Sequence, residues 1–332
     1  MTDKDINRTK AKISSTADLD QVKRQFEKDS AQYDRTLLFC SGSGCVSSNC
    51  GEVRDALVAE LELAGLTSSI KLSLTGCIGI CDVGPRLTVQ PDGVFYCKLK
   101  PEDMKKIVKK HLIDNQIAEE FCYTDRETGK KVPQMKDIGF FKGQNKVVLR
   151  DCGMINFRSM EEFIYTDGYY ALAKALGTMT PAQVTEEVKK SGLRGRGGGG
   201  FPTGLKWALA TKTPGDQKYI ICNADEGDPG AFMDRSLLEG NPHAIIEGMA
   251  IAGYAIGSDQ GYVYVRAEYP LAIEGLEIAI QDARERNILG KNIFGSGFDF
   301  DVEIRIGAGA FVCGEETALI GSVEGRRGEP NQ

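Results

Sequence analysis

No apolar run in this 332-residue chain is long enough to cross a bilayer: the longest, around Met249 to Gly257, falls far short of the roughly 20 residues a spanning helix needs. The chain also lacks a basic face. Its 41 Lys and Arg stand against 47 Asp and Glu, a net charge of −6 with both signs interspersed, so a nucleic-acid partner is not expected. No apolar core accompanies Asp3, Lys4, Asp5, Arg8 and Lys10, so no signal peptide is expected, the stretch is too acidic for a transit peptide, and the expected location is cytoplasmic. There is no repeat of solenoid period. What remains is 41% hydrophobic and 27% charged, enough to bury a core in about two domains.

Two residue types are in excess, with ten cysteines and 39 glycines. A secreted disulfide scaffold explains the cysteines poorly in a chain this long without an export signal. Grouped cysteines then point to a metal, a cluster or redox chemistry. The glycines concentrate in Gly192–Gly204 and Gly307–Gly328.

The hydrophobic pattern divides the chain into a charged helical lead-in (1–30), a small domain (31–115), a connector (116–175) and a larger domain (176–332). In the small domain, strands are predicted at Thr36–Phe39, Ile70–Leu74, Arg86–Gln90 and Val94–Leu99, with helices at Glu52–Ala64 and Pro101–Leu112. The connector carries a predicted strand at Lys146–Arg150 and helical patterns at Ser159–Ile164 and Tyr169–Leu176. Beyond it, strands at Tyr219–Asn223, Tyr262–Arg266 and Asp301–Ile306 alternate with helices His243–Ile256, Leu271–Arg286 and Glu315–Val323. That alternation predicts an α/β fold with a parallel sheet.

Cys40 and Cys45 flank Ser-Gly-Ser-Gly, and Cys77 and Cys81 flank Ile-Gly-Ile; each pair follows an apolar strand. Four thiolates can converge there, with glycine and serine admitting backbone amides to the sulfurs. A [2Fe–2S] cluster fits this arrangement best; structural zinc and inert or disulfide-bonded thiols are the alternatives. Cys50, separated from Cys45 by four residues, is set aside because it opens a helix; the remaining cysteines are expected to be buried thiols.

Ser191-Gly-Leu-Arg-Gly-Arg-Gly-Gly-Gly-Gly-Phe-Pro-Thr-Gly-Leu-Lys-Trp207 strips side chains from many positions while keeping Arg194, Arg196, Lys206 and Phe201. Such a backbone lies against a flat or phosphorylated ligand. It has no Gly-Lys-Ser/Thr ending and no strand directly before it, so it is neither a triphosphate loop nor a simple dinucleotide fingerprint. Asn223-Ala-Asp-Glu-Gly-Asp-Pro-Gly230 and Gly307-Ala-Gly-Ala-Phe-Val-Cys-Gly-Glu-Glu-Thr317 follow predicted strands and are expected to serve the same cavity. Carboxylates at Glu315 and Glu316 equally suit helix caps.

From Phe140 onward, most clearly in Gly192–Trp207, Asn223–Arg235 and Gly307–Pro330, the sequence resembles the NADH-oxidising FMN flavoprotein subunit of complex I and its relatives in NAD-linked hydrogenases and formate dehydrogenases. The N-terminal unit resembles a thioredoxin-like [2Fe–2S] ferredoxin domain. Their fusion, with Asp225-Glu-Gly-Asp-Pro-Gly-Ala-Phe232, is most similar to the β subunit of NAD-linked, electron-bifurcating [FeFe]-hydrogenases. The resemblance implies a Rossmann-like FMN- and NAD(H)-binding domain acting as a diaphorase: hydride exchange between NAD(H) and FMN, with single electrons passed to iron–sulfur clusters. It implies metal ligation by Cys40, Cys45, Cys77 and Cys81. Gly195, Arg196, Gly197, Gly198 and Lys206 would line the cofactor cavity, and Phe201 would stack on adenine. Asn223, Asp225 and Glu226 would contact the flavin, Gly314 and Glu315 would close its other side, and Asp228 and Glu316 would hydrogen-bond the nicotinamide nucleotide. No catalytic acid or base is implied.

Three departures from the family stand out. Phe311 replaces a tyrosine near the flavin, Leu209 a second adenine-stacking aromatic, and Asp228 a longer glutamate. The implied partners are a catalytic hydrogenase or formate dehydrogenase subunit, a small [2Fe–2S] ferredoxin-like subunit and ferredoxin. A complex I-type quinone reductase arm is the alternative setting. The family continues past Pro330 into a region holding a [4Fe–4S] cluster, so the chain is expected to be incomplete at its C-terminus.

Overall fold

The computed structural model describes residues 11–331. Helix α1, Thr16–Ser30, fills the later part of the expected lead-in, whose first ten residues lie outside the described ones. Two compact units follow. Of the described residues, the first holds 25–162 and 239–241, and the second holds 11–24, 163–238 and 242–331. The break therefore falls within the connector expected over 116–175, and three residues from far along the chain join the first unit.

In the first unit, β1 (Arg35–Cys40) leads through a short helical turn, α2 (Ser43–Val46), into α3 (Cys50–Leu63) and then β2 (Ile70–Thr75). Val53, Leu57 and Leu61 repeat every fourth residue on α3 and are all buried. Each such side chain contributes about 1.5–3 kcal/mol of burial. β3 (Leu87–Gln90) and β4 (Val94–Tyr96) form the predicted hairpin around Pro91-Asp92-Gly93. The sheet order is β2-β1-β3-β4, with β2 parallel to β1 and β3 antiparallel to it. A helical stretch closes the unit: a tight turn at Pro101–Asp103, α4 (Met104–Ile107), then wider turns over Val108–Ile113. This strand order, with one crossover helix and a closing helix, is the thioredoxin fold. Its core gathers Leu37, Phe39, Leu57, Leu87, Val89 and Tyr96. The buried Tyr96 hydroxyl is satisfied by His111 Nδ1 at 2.9 Å and by the Ala118 N–H at 3.1 Å.

A small ribbon, β5 (Tyr123–Thr124) with β6 (Lys131–Val132), and two short helices, α5 (Gly139–Lys142) and α6 (Met160–Tyr165), come next. The strand expected at Lys146–Arg150 does not form. That stretch is a bend and turn with Val147 and Val148 exposed, since no neighbouring strand offers it a ladder.

The second unit begins with α7 (Tyr170–Thr178) and α8 (Pro181–Ser191). Sequence signals set both ends of α8: Thr180 and Gln183 form a reciprocal cap, Pro181 occupies the first turn, and Gly192 ends it at φ 68°. The glycine loop leads to α9 (Thr203–Lys212) and β7 (Tyr219–Ala224). Then come α10 (Met233–Gly240), α11 (Pro242–Ile256), β8 (Gln260–Arg266), α12 (Pro270–Glu285), β9 (Gly290–Ile293), β10 (Phe298–Gly307) and α13 (Glu316–Val323). The sheet runs β7-β8-β10-β9, its first three strands parallel and β9 antiparallel at one edge. The protein is thus α/β in both units, with a parallel sheet in the second. Among the described residues, no helix is long and apolar enough to cross a membrane.

Candidate functional site

The parallel pairing of β1 with β2 places Cys40 opposite Thr75, so the two cysteine loops leave the same end of the sheet. The four thiols meet there. Cys77 and Cys81 Sγ lie 3.3 Å apart, and Cys40 hydrogen-bonds to both Cys45 and Cys77. The glycines permit this closeness. A Cβ on Gly44 would sit 2.9 Å from Cys81 Sγ, and one on Gly84 would sit 2.9 Å from Cys45 Sγ. The Gly79 N–H donates to Cys77 Sγ at 3.2 Å.

Shared protons split the thiols. Donation to Cys45 and Cys77, together with burial, pushes Cys40 well above the ordinary thiol range. Bonds received from Cys40 and Cys81, aided by the Gly79 N–H and the Arg86 charge, hold Cys77 well below it. Cys50 is buried outside this set, and burial raises its thiol to about 11. Cys97, Cys122 and Cys152 are buried thiols raised in the same way, as is the less buried Cys222.

Among the described residues, no group of His, Cys, Asp and Glu is arranged around a single metal ion. The thiols are linked in a row, Cys45 to Cys40, Cys40 to Cys77 and Cys77 to Cys81, and four thiols from two loops are the donor set an iron–sulfur group takes. A second observation fits such a group: Arg86 is buried beside the loops with its Nη1 unmatched by any hydrogen-bond acceptor.

Two contributors were not legible in the sequence. One is Arg86, whose Nη2 donates to the Gly76 carbonyl at 3.1 Å. The other is buried Glu239, which accepts the Ser43 N–H at 3.1 Å and the Ser43 hydroxyl, bracing the first cysteine loop. Their only sequence signal is a charged residue close to a turn former, Arg86 after Gly84-Pro85 and Glu239 before Gly240, which equally marks a surface turn.

In the second unit, the registers Ala224↔Val265 and Arg266↔Gly307 bring the carboxyl ends of β7, β8 and β10 level. Arg266, at the end of β8, ties the flanking loops together. Its Nη1 donates to the Glu226 carbonyl at 2.9 Å, and its Nη2 to the Gly309 carbonyl at 3.3 Å. Asn223 Nδ2 reaches the Gly314 carbonyl at 2.9 Å. Phe311 covers Gly227, where a Cβ would come within 2.7 Å of the ring. Lys206, on α9, meets Glu316 at 3.2 Å.

Asp225 is the buried carboxylate of this set. Neither of its oxygens takes a hydrogen bond, and Arg266 Nε lies 3.7 Å from Oδ1. Burial raises its pKa, against the pull of Arg266. An unmatched acceptor pair at a strand end suits the N–H of a bound ring. The glycine loop is open as well, with nothing within 4 Å of where a Cβ would stand on Gly197, Gly198, Gly199 or Gly200.

Two of the expected contacts are occupied by local structure. The Glu226 carboxylate accepts the N–H groups of Met233 at 2.8 Å and of Asp234 and Arg235 at 3.2 Å, capping α10. Glu315 caps α13 by accepting from Thr317 and Ala318. Gly195 donates to the Phe201 carbonyl at 2.9 Å, and Arg194 to the Gly200 carbonyl at 3.1 Å, so the loop closes on itself. Arg196, Phe201 and Asp228 stand exposed, outside the bonds that join the three loops. Arg266 was not singled out from the sequence; an arginine ending a strand before an acidic loop was its only signal.

The stretch that builds these loops matches one family description, the Nuo51 FMN-binding domain, over residues 188–332. The chain is 64% identical over 189 residues to the NADP-reducing hydrogenase subunit HndC of Solidesulfovibrio fructosivorans, a match covering 57% of this chain and 38% of the relative. It is 41% identical over 257 residues to the NAD-reducing hydrogenase HoxS subunit alpha of Cupriavidus necator, covering 77% of this chain and 40% of the relative. The chain thus spans less than half the length of these curated relatives. A solved thioredoxin-like [2Fe–2S] ferredoxin from Aquifex aeolicus aligns with 27% of this chain and 89% of its own, at 28% identity and a TM-score of 0.25.

Proposed function

We propose that this chain is a diaphorase subunit: it exchanges hydride between NAD(H) and FMN at the β7–β8–β10 strand ends and passes electrons on to a [2Fe–2S] centre at Cys40, Cys45, Cys77 and Cys81. The single observation that carries this reading is the junction of the β7 and β10 loops through Arg266 and Asn223, inside the stretch matching an FMN-binding domain. When bound, FMN supplies the interchange between two-electron hydride chemistry and one-electron transfer.

The protein's part is placement. Arg266 and Asn223 fix the spacing of the two loops, and Asp225 offers its oxygens to a ring N–H. Open backbone at Gly197 and Gly198, with Arg196 and Lys206, suits phosphate groups, Gly195 holds the loop closed through the Phe201 carbonyl, and exposed Phe201 offers a face for adenine. Glu316 and Asp228 are the carboxylates available to ribose hydroxyls. Gly314 and Phe311 border the ring site, while Glu226 and Glu315 act through the helices they cap. Hydride transfer between stacked rings needs no protein acid or base, only alignment.

The two hydrogenase relatives support a hydrogenase-type catalytic subunit as partner, with a formate dehydrogenase subunit or a quinone reductase arm in its place as the other settings. A small ferredoxin-like subunit and ferredoxin would complete the circuit. Co-purification identifies the partner, and ferredoxin-dependent NADH oxidation by the assembled complex tests electron bifurcation.

Adding FMN to the purified chain and recording its visible spectrum tests the core of the proposal. Bound flavin that NADH bleaches, with NADH-dependent reduction of ferricyanide, is the expected result. Flavin that stays free at saturating concentration would overturn it.

A further inference from the structure

A charge buried without a counter-charge is costly. Arg86 is 1% exposed. Among the described residues no carboxylate pairs with it, and its one side-chain hydrogen bond is from Nη2 to the neutral Gly76 carbonyl at 3.1 Å. Nη1 is buried with no acceptor. The backbone of the same residue is locked to the site, because its carbonyl accepts the Cys40 N–H at 3.4 Å. Gly153, at φ 81°, packs so closely that an added Cβ would lie 1.9 Å from Ile78 Cγ2 and 3.4 Å from Arg86 Nη2. The fold therefore holds a fixed cation and an unused N–H donor against the cysteine loops, and only a negative group there balances both.

We propose that Arg86 is the counter-charge of the four-cysteine site, and that it raises the potential at which an iron–sulfur centre there accepts an electron. Resting on the cluster reading above, the inference names a residue that reading did not contain. A cluster held by four thiolates is anionic and gains a further negative charge on reduction. A neighbouring buried cation therefore favours the reduced form, and an N–H···S bond acts in the same direction. Arg86 acts as a positioning residue through the cluster's charge.

The test compares the full chain with Arg86→Lys, Arg86→Gln and Arg86→Met, reading iron content, the two-iron electron paramagnetic resonance signal and its redox titration. Arg86→Met and Arg86→Gln should each lower the ratio of reduced to oxidised cluster about tenfold at a fixed potential, about 59 mV for one electron, and Arg86→Lys should recover most of the shift. If the neutral variants lose iron while Arg86→Lys keeps it, with unchanged circular dichroism, the counter-charge is needed even for retention, and the inference stands. Loaded neutral variants that titrate like the wild type overturn it. Loss of iron and fold in all three variants also overturns it, leaving Arg86 a packing residue. A wild-type chain that takes up no two-iron centre would instead refute the cluster reading itself.

Discussion

Asn223 Nδ2 donates a hydrogen bond to the Gly314 carbonyl at 2.9 Å, joining the end of β7 to the segment that leads into α13, 91 residues further on. The same side chain turns its oxygen back to accept the Asp225 N–H at 3.1 Å. One amide thus sets both the gap between two loops and the direction of the buried carboxylate. Asn223→Ala removes both bonds. At about 1 kcal/mol per net hydrogen bond, FMN affinity should fall roughly fivefold or more, read by quenching of flavin fluorescence. Asn223→Asp, which keeps the acceptor and loses the donor, should weaken binding as well. Unchanged affinity in both variants would show that the loop spacing does not matter to the ligand.

Asp234 gives a pH dependence of definite sign. Burial, with the Glu226 carboxylate beside it, pushes its carboxyl up to about 6 from an ordinary value near 3.8. Between those values the folded chain holds a proton that the unfolded chain has lost, so stability falls as pH rises through that window and stays lower above it. Thermal unfolding at pH 4.5 and pH 7 should show the loss in the wild type. Asp234→Asn, which cannot ionise, should be stabilised relative to the wild type at pH 7 more than at pH 4.5. An equal effect at both pH values would refute the assignment.

The pair Lys206–Glu316 is exposed on both sides, and such pairs contribute little to stability. Lys206→Met and Glu316→Ala should therefore unfold within about 0.5 kcal/mol of the wild type. Steady-state kinetics should separate them. Loss of the lysine raises KM for NADH by removing a phosphate partner. Loss of the carboxylate removes repulsion of a 2′-phosphate and lowers KM for NADPH. Kinetics unchanged in both variants would place the pair outside the nucleotide site.

Five cysteines lie on or near the two thiol-bearing loops, and the structure separates four from the fifth. Cys81→Ser should lose or alter the two-iron signal, because Cys81 Sγ is one of the sulfurs in mutual contact. Cys50→Ala should keep the full iron content, because its thiol is buried at the start of α3, apart from that set. The reverse pattern would exchange the ligand assignments of these two residues.

How much could be read ahead of the fold depended on whether the signal was local. Strands β1, β2, β7 and β8 announce themselves as short apolar runs, and α8 carries its own start and stop in Thr180, Pro181 and Gly192. The cysteine spacing and the glycine loop were equally visible. Helix α10 was not, because its cap is Glu226, placed seven residues before Met233 by a Pro-Gly turn. Val147-Val148 has the composition of a strand, yet nothing lies beside it to pair with. Arg86, Glu239 and Arg266 were hidden for a related reason. A charged side chain reads as surface until the partners that hold it in the site are known, and the Gly76, Gly309 and Ser43 partners of these three lie 10 to 196 residues away.

The glycines of the first cysteine loop allow stability and iron binding to be pulled apart. Gly44 sits in the helical turn α2, where alanine is favoured over glycine by up to about 1 kcal/mol. Its Cβ, however, would stand 2.9 Å from Cys81 Sγ and 3.0 Å from Cys81 Cβ. Gly51, at the start of α3, has nothing within 4 Å of a Cβ. Gly51→Ala should thus raise the melting temperature slightly and leave iron content unchanged. Gly44→Ala should lower iron content, since any relief of the clash moves Cys81 away from the other three sulfurs, while its helical backbone keeps the fold intact. Iron per chain, measured beside far-ultraviolet circular dichroism, separates the two effects. Full iron loading in Gly44→Ala would mean that Cys81 does not need its present place to bind the cluster.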